Sequence, residues 1–301
     1  MINEEERSSR LSRNFMERIY RGRKYRLYIP ENCTYPSPLI VMLHGCTQDS
    51  VQFAASTNMN ELAEKEKFFV MYPEQTSGAN PNKCWNWFDT AHQTREKGEP
   101  ALIAGMVEDV KRDYDIAHNK VFVAGLSAGG AMSAILGVVY ADVFTAIAVC
   151  AGLEYKAAPS ILHAYGAMRR GGPLPAQQGD LAYAAMGIKK VIPAIVFHGM
   201  ADRTVYPCNG HQVAMQWVRT NCNNSKHRIL PPETTIYPVE DGYPYTHTVY
   251  RDSTGRSIVE QYMIENMGHV WPGGNKIESF TDEKGPDATQ IIWEFFKKAF
   301  L

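Results

Sequence analysis

Nowhere in its 301 residues does this chain carry an apolar run near the roughly 18 residues that a membrane-spanning helix needs. It is therefore read as a chain without a membrane span. The N-terminus, Met1-Ile-Asn-Glu-Glu-Glu-Arg7, lacks a basic segment followed by an apolar one. That predicts no signal peptide, and either a cytoplasmic protein or a secreted form already trimmed. Charge of one sign is missing too: 31 Lys and Arg face 32 Asp and Glu, for a net charge of −1. No global field draws the chain to nucleic acid or to an anionic membrane. The one basic cluster, Arg21 to Arg26, is interleaved with Tyr20 and Tyr25 and reads as a solvated strand face. The six cysteines (Cys33, Cys46, Cys84, Cys150, Cys208 and Cys222) include no Cys-x-x-Cys pair. This argues against a zinc site and leaves free thiols or up to three disulfides open. Nothing implies a metal or an organic cofactor. No repeat, low-complexity tract or linker divides the chain, so a single domain over 1–301 is expected, with 1–20 as an N-terminal extension.

What is present is an ordinary globular composition, 45% hydrophobic and 21% charged, with length for a sizeable core. Arg23 to Ile29 alternates as a strand does, Pro36-Ser-Pro38 reads as a turn, and Leu39 to Leu43 is an uninterrupted apolar run ending at His44-Gly45. Such runs suit strands covered on both faces. Phe68 to Tyr72, Lys120 to Ala124, Phe144 to Val149, Pro193 to Phe197 and Ser257 to Ile264 read as further strands. Glu61 to Lys67 reads as a polar helical stretch. Ile103, Met106, Val107, Val110 and Tyr114 share one face of another helix, with Glu108, Asp109, Lys111 and Arg112 turned away. Ser77 to Pro100, rich in Gly, Pro, Asn and Trp, reads as a long loop, and residues 156–190 as an excursion off the sheet near the active site. A last helix opens at Asp287-Ala-Thr-Gln290, a capping-box spacing, and turns Ile291, Ile292, Phe295 and Phe296 inward. Strands and helices alternating at these lengths predict an α/β fold with a mostly parallel central sheet and helices on both faces.

One segment carries chemistry. Gly125-Leu-Ser127-Ala-Gly-Gly130 follows the strand candidate Lys120 to Ala124 and opens into a helical run from Ala131. A G-x-S-x-G between strand and helix lifts its serine out of the backbone, above free N–H groups at a helix N-terminus. A serine hydroxyl needs a base, and the base needs a partner that fixes its tautomer. In a parallel sheet these groups gather at the carboxyl ends of the strands, in the order nucleophile, acid, histidine. Asp202 fits the acid, in a turn just past Pro193 to Gly199, whereas Asp180, Asp241, Asp252 and Asp282 lack a preceding buried strand. His269 fits the base, in the loop between the last strand and the final helix; His247 lies within an alternating strand-like run, and His211 and His227 flank a helix. The oxyanion donors are then the backbone N–H groups of Ala128 and of Cys46, at the end of the Leu39–Leu43 strand. Trp85, Trp87 and Trp271 are candidate apolar walls for an ester group, Trp271 foremost because it lies two residues past His269.

Taken together, Leu43-His-Gly-Cys-Thr-Gln48, Cys84-Trp-Asn-Trp-Phe88, Gly125-Leu-Ser-Ala-Gly-Gly130, His198-Gly-Met-Ala-Asp202 and His269-Val-Trp-Pro-Gly273 resemble the poly(3-hydroxybutyrate) depolymerase-type esterases, with their feruloyl and acetylxylan esterase relatives. The resemblance runs from about Arg23 to the final helix. It implies the α/β-hydrolase fold, a Ser127-His269-Asp202 triad, an oxyanion hole at Cys46 and Ala128, and a small ester or polyester oligomer as substrate. It also implies a Cys46–Cys84 disulfide, since both cysteines sit inside matching motifs. The chain departs from many such enzymes in lacking a signal peptide, and it shows no separate polymer-binding domain. Three readings follow: hydrolysis of hydroxyalkanoate esters through an acyl-enzyme, a feruloyl or acetylxylan esterase, and, from a different class, a non-catalytic binding protein on a hydrolase scaffold.

Overall fold

The computed structural model describes residues 14–299. Ten strands form one sheet: β1 (Phe15–Tyr20), β2 (Arg23–Tyr28), β3 (Ser37–Leu43), β4 (Phe69–Pro73), β5 (Ile116–Leu126), β6 (Ala146–Cys150), β7 (Ala194–Gly199), β8 (Glu233–Tyr237), β9 (Tyr245–Arg251) and β10 (Ser257–Ile264). Their order across the sheet is β1-β2-β4-β3-β5-β6-β7-β10-β9-β8. The central strands from β4 to β10 pair in parallel, and antiparallel hairpins extend both edges. This is the α/β-hydrolase architecture. A further short parallel pair, β11 (Trp271–Pro272) and β12 (Thr281–Asp282), lies in the loop before the last helix.

The continuous apolar runs divide between two cores because successive side chains leave a strand on opposite faces. Leu39, Val41 and Leu43 of β3, Val121 and Val123 of β5, and Ile147 and Val149 of β6 enter one core. Ile40 and Met42, Phe122 and Ala124, and Ala146 and Ala148 enter the other. The first is closed by α3 (Gly98–Asp113), α4 (Ala128–Val139) and α7 (Cys208–Asn224), the second by α1 (Ser50–Thr57), α2 (Met59–Glu66) and α8 (Ala288–Lys298). On α8, Ile292, Trp293, Phe295 and Phe296 are buried, and Phe296 stacks on Phe122 with ring centroids 4.6 Å apart. Each such ring contributes about 2–3 kcal/mol through the apolar area it removes from water. Asp287 caps α8 by accepting from Gln290 N at 3.0 Å, while the Gln290 side chain turns away to Glu294.

Several local expectations change. Residues 1–13 of the expected N-terminal extension lie outside the described residues, and Phe15–Tyr20 is an edge strand hydrogen-bonded to β2, not an appendage. Ser37 and Pro38 begin β3 instead of closing a turn. Asp109 does not face solvent. It is buried, and it accepts from the Tyr25 hydroxyl on β2 and from Arg112 one turn along α3. The expected excursion at 156–190 folds as α5 (Ile161–Arg170) and α6 (Pro175–Ala185), and α6 lies directly on α7. A side chain at Gly179 would stand 2.5 Å from Arg219 Cβ, so the two helices meet at backbone distance. Ala182 and Met186 then join the core beside Trp217.

Candidate active site

β5 ends at Leu126, α4 begins at Ala128, and Ser127 alone makes the turn between them. Its backbone is left-handed, with φ 58° and ψ −118°, a strained conformation for a residue with a side chain. Two glycines permit the turn. A Cβ on Gly125 would fall 2.3 Å from Gly129 O, and one on Gly129 would fall 2.0 Å from Leu43 O. The turn is held from the side, since Ser127 N donates to Cys150 O on β6 at 2.8 Å. Ser127 Oγ is thereby presented at the carboxyl end of the sheet, half-buried.

His269 Nε2 stands 2.8 Å from Ser127 Oγ, and His269 Nδ1 stands 2.7 Å from Asp202 Oδ2. Nδ1 donates to the carboxylate, which leaves the Nε2 lone pair for the serine hydroxyl. Asp202 is fully enclosed. Its Oδ1 accepts from Thr204 N at 2.8 Å and from Val205 N at 2.9 Å. Burial alone would push the Asp202 pKa up, but hydrogen bonds from His198 and His269 outweigh it and hold the carboxyl well below the usual range. Asp202 therefore stays ionised throughout the range in which an imidazole titrates. The competing histidines are occupied elsewhere: His247 Nε2 pairs with Glu260 at 2.9 Å, and His211 Nδ1 meets Gln261 at 3.2 Å.

Above Ser127, the chain leaving β3 forms a second turn. His44 is buried and neutral: burial lowers its pKa, Nδ1 donates to Gly45 O at 2.7 Å, and Nε2 accepts from Gln75 N at 3.1 Å. Gln48 reaches back so that its Oε1 accepts from Gly45 N at 2.9 Å. This engages the Gly45 amide and leaves the Cys46 amide without an acceptor among the described residues. Ala128, the first residue of α4, lies in the opening turn where helix amides also have none. Cys46 is bonded to Cys84, with Cα atoms 4.2 Å apart, and Thr47 N donates to Asn82 O at 2.7 Å. The turn is thus stitched to the 74–97 loop. Glu99 anchors that loop in turn, accepting from Asn86 N at 2.7 Å and from the side chains of Asn86 and Gln75.

The three tryptophans do not wall the site. Trp271 is fully buried, with its indole N–H on Thr289 Oγ1 at 3.1 Å and its ring edge-on to Phe53. Trp85 and Trp87 are 3% and 5% exposed, and the Trp85 indole N–H is spent on His44 O. Two other buried groups had no role in the sequence reading. His198 touches Asp202, with Nε2 3.4 Å from Oδ2. Glu154, four residues past β6, is buried with neither carboxyl oxygen partnered among the described residues, and burial pushes its pKa up to about 9. Among the described residues no group of three or more His, Cys, Asp or Glu could hold a metal ion, and no helix is long and apolar enough to cross a membrane.

Comparison with known proteins agrees with this geometry at the level of the family. Residues 23–226 match the family described as Esterase PHB depolymerase. The chain belongs to that family. Over 248 residues it is 37% identical to poly(3-hydroxyalkanoate) depolymerase C of Paucimonas lemoignei, covering 81% of this chain and 58% of that protein. It is 29% identical to a probable acetylxylan esterase A of Aspergillus clavatus over 64% of each chain, and 26% identical to feruloyl esterase B of Neurospora crassa over 83% of this chain and 84% of that one. The chain thus spans less than two thirds of the length of the first two relatives. Among solved structures, an acetyl xylan esterase from Aspergillus awamori superposes with a TM-score of 0.75 at 20% identity, covering 94% of this chain and 99% of that one. That esterase and this chain therefore share one fold.

Proposed function

We propose that this chain hydrolyses carboxylic esters through an acyl-enzyme on Ser127, with hydroxyalkanoate esters as the substrate class. The observation that carries the reading is the unbroken hydrogen-bonded line from Ser127 Oγ through His269 to the enclosed Asp202 carboxylate. In the first half-reaction Ser127 Oγ attacks the ester carbonyl while His269 Nε2 takes its proton. The tetrahedral oxyanion lies against the Cys46 and Ala128 amides, which are worth on the order of 3 kcal/mol each at the transition state. His269 then returns the proton to the departing alcohol, leaving the acyl group on Ser127. Water enters, His269 accepts its proton, and collapse of the second tetrahedral intermediate frees the acid and restores the serine. Asp202 holds the imidazole orientation and stabilises the imidazolium in both halves.

The hydroxyalkanoate assignment draws on the higher identity to the Paucimonas depolymerase than to the acetylxylan and feruloyl esterases compared with it. The test is one panel of soluble 3-hydroxybutyrate oligomers, feruloyl esters and acetylated xylan, scored by kcat/KM. The oligomers are expected to lead. A lead for either plant-polysaccharide ester would move the substrate to that class while leaving the chemistry standing. Failure to cleave any ester, together with no stoichiometric labelling by a fluorophosphonate, would leave a binding protein on a hydrolase scaffold.

A further inference from the structure

His198 is the penultimate residue of β7 and is wholly buried. Its Nε2 lies 2.8 Å from Val205 O and 3.4 Å from Asp202 Oδ2. Both partners are acceptors, so Nε2 carries the proton and shares it between them. Val205 is thereby held at both ends, its N–H by Asp202 Oδ1 and its carbonyl by His198. The turn from 198 to 205 becomes a closed ring of hydrogen bonds with Asp202 inside it. The opposite edge of the imidazole faces α7, where a Cβ on Gly210 would stand 2.7 Å from His198 Cβ and 2.8 Å from Nδ1. Nδ1 has no hydrogen-bond partner among the described residues. An imidazole with one nitrogen buried and unpartnered is a poor choice for packing alone, because an aliphatic side chain would fill the space without that penalty. What the aliphatic side chain lacks is the Nε2 proton.

We infer that His198 is a positioning residue for the catalytic acid, an inference that rests on the hydrolytic reading above. Two histidines converge on Asp202 Oδ2, His269 at 2.7 Å and His198 at 3.4 Å. The titratable groups facing this carboxylate are His198 from the end of β7 and His269 from its loop, and α7 meets the imidazole with uncharged Gly210. The His198 proton fixes the direction of Oδ2 towards His269 Nδ1. It also draws off part of the carboxylate charge, which moderates the pull of Asp202 on the His269 imidazolium. Losing that donor makes Asp202 more basic and tightens its hold on the His269 imidazolium.

The test compares wild type, Ser127→Ala, His198→Leu and His198→Gln on a p-nitrophenyl ester across pH, beside thermal melts. Gln carries an N–H to about the place of the imidazole Nε2, and Leu carries none. His198→Leu is expected to lower kcat by about 10-fold or more with KM changed less than about 3-fold. The acid limb of its kcat/KM profile should move to higher pH. His198→Gln should recover most of kcat and return the limb. A folded His198→Leu with wild-type kcat and profile overturns the inference. So does an equal fall in both variants with the acid limb unmoved, which is what a purely structural role gives. Should Leu not fold, His198→Asn, whose amide is too short to reach, takes its place against Gln, and an indistinguishable pair overturns the inference. Wild-type turnover in Ser127→Ala would instead overturn the hydrolytic reading itself, so the two failures are separable.

Discussion

The carbonyl oxygen of Met267 lies 2.2 Å from where a Cβ on Gly199 would stand. Only a glycine permits this approach, and through it the acid turn and the base loop share a backbone. Met200 N donates to Ile264 O at 2.8 Å and Ala201 N to Met267 O at 2.9 Å, so both turns sit on the paired ends of β7 and β10. Asp202 and His269 are mounted on one rigid piece, and Ser127 is the member brought to them from the other side of β6.

Replacing Ser127 by Ala should lower kcat by roughly 10³-fold or more and abolish fluorophosphonate labelling, with the melting temperature little changed. Turnover of the purified variant near the wild-type rate would remove Ser127 from the mechanism.

Breaking the Cys46–Cys84 bond should act on the proposed oxyanion hole as well as on stability, because Cys46 carries one of its two proposed amide donors. Cys84→Ser is expected to cost about 2–4 kcal/mol of folding free energy. It should also lower kcat by about 10-fold, through looser placement of one donor. Denaturant melts and steady-state kinetics on one preparation read both. A stability loss with unchanged kcat would mean that Thr47, Gln48 and Asn82 suffice to hold the turn.

Glu154 sets a slope of stability with pH. Its carboxyl holds its proton to about pH 9 in the fold, against 4.5 for an ordinary glutamate. Between those values the folded chain binds the proton more tightly than the unfolded one, so stability falls as pH rises through that window. Glu154→Gln should remove the slope, leaving the variant the more stable at pH 8, with the gap closing near pH 5. Melts at the two pH values check the sign. A gap that widens towards acid would contradict it.

Trp271 should behave as a core residue and not as a substrate contact. Trp271→Phe keeps most of the apolar volume but removes the indole donor to Thr289 Oγ1, which keeps its own bond to Thr57 O, so a loss of about 1–2 kcal/mol in stability is expected. KM should stay within about two-fold of wild type. A large rise in KM without loss of stability would return Trp271 to the substrate pocket.

The parts of the fold legible in the sequence are those governed by local pattern. The apolar runs of β3, β5 and β7 and the bounds of β10 follow from side-chain alternation and double-sided burial, and Ser127 from the glycines around it. What stayed hidden depends on partners far along the chain. Asp109 reads as solvated because charged residues surround it, yet Tyr25, 84 residues away, satisfies it inside. Trp271 reads as a substrate wall because it follows His269 so closely, but the chain turns between them and sends the indole to Thr289 and Phe53. His198 is visible in its motif, while its bond to Val205 O exists only once the turn has closed.

The segment between β6 and β7 is tied to α7, where Tyr155 N reaches Gln216 and Asp180 pairs with Arg219, and to itself, where Gln178 Nε2 reaches Tyr155 O. None of these ties passes through Ser127, Asp202 or His269. A lineage could therefore lengthen, shorten or rewrite this stretch without disturbing the placement of Ser127, Asp202 and His269.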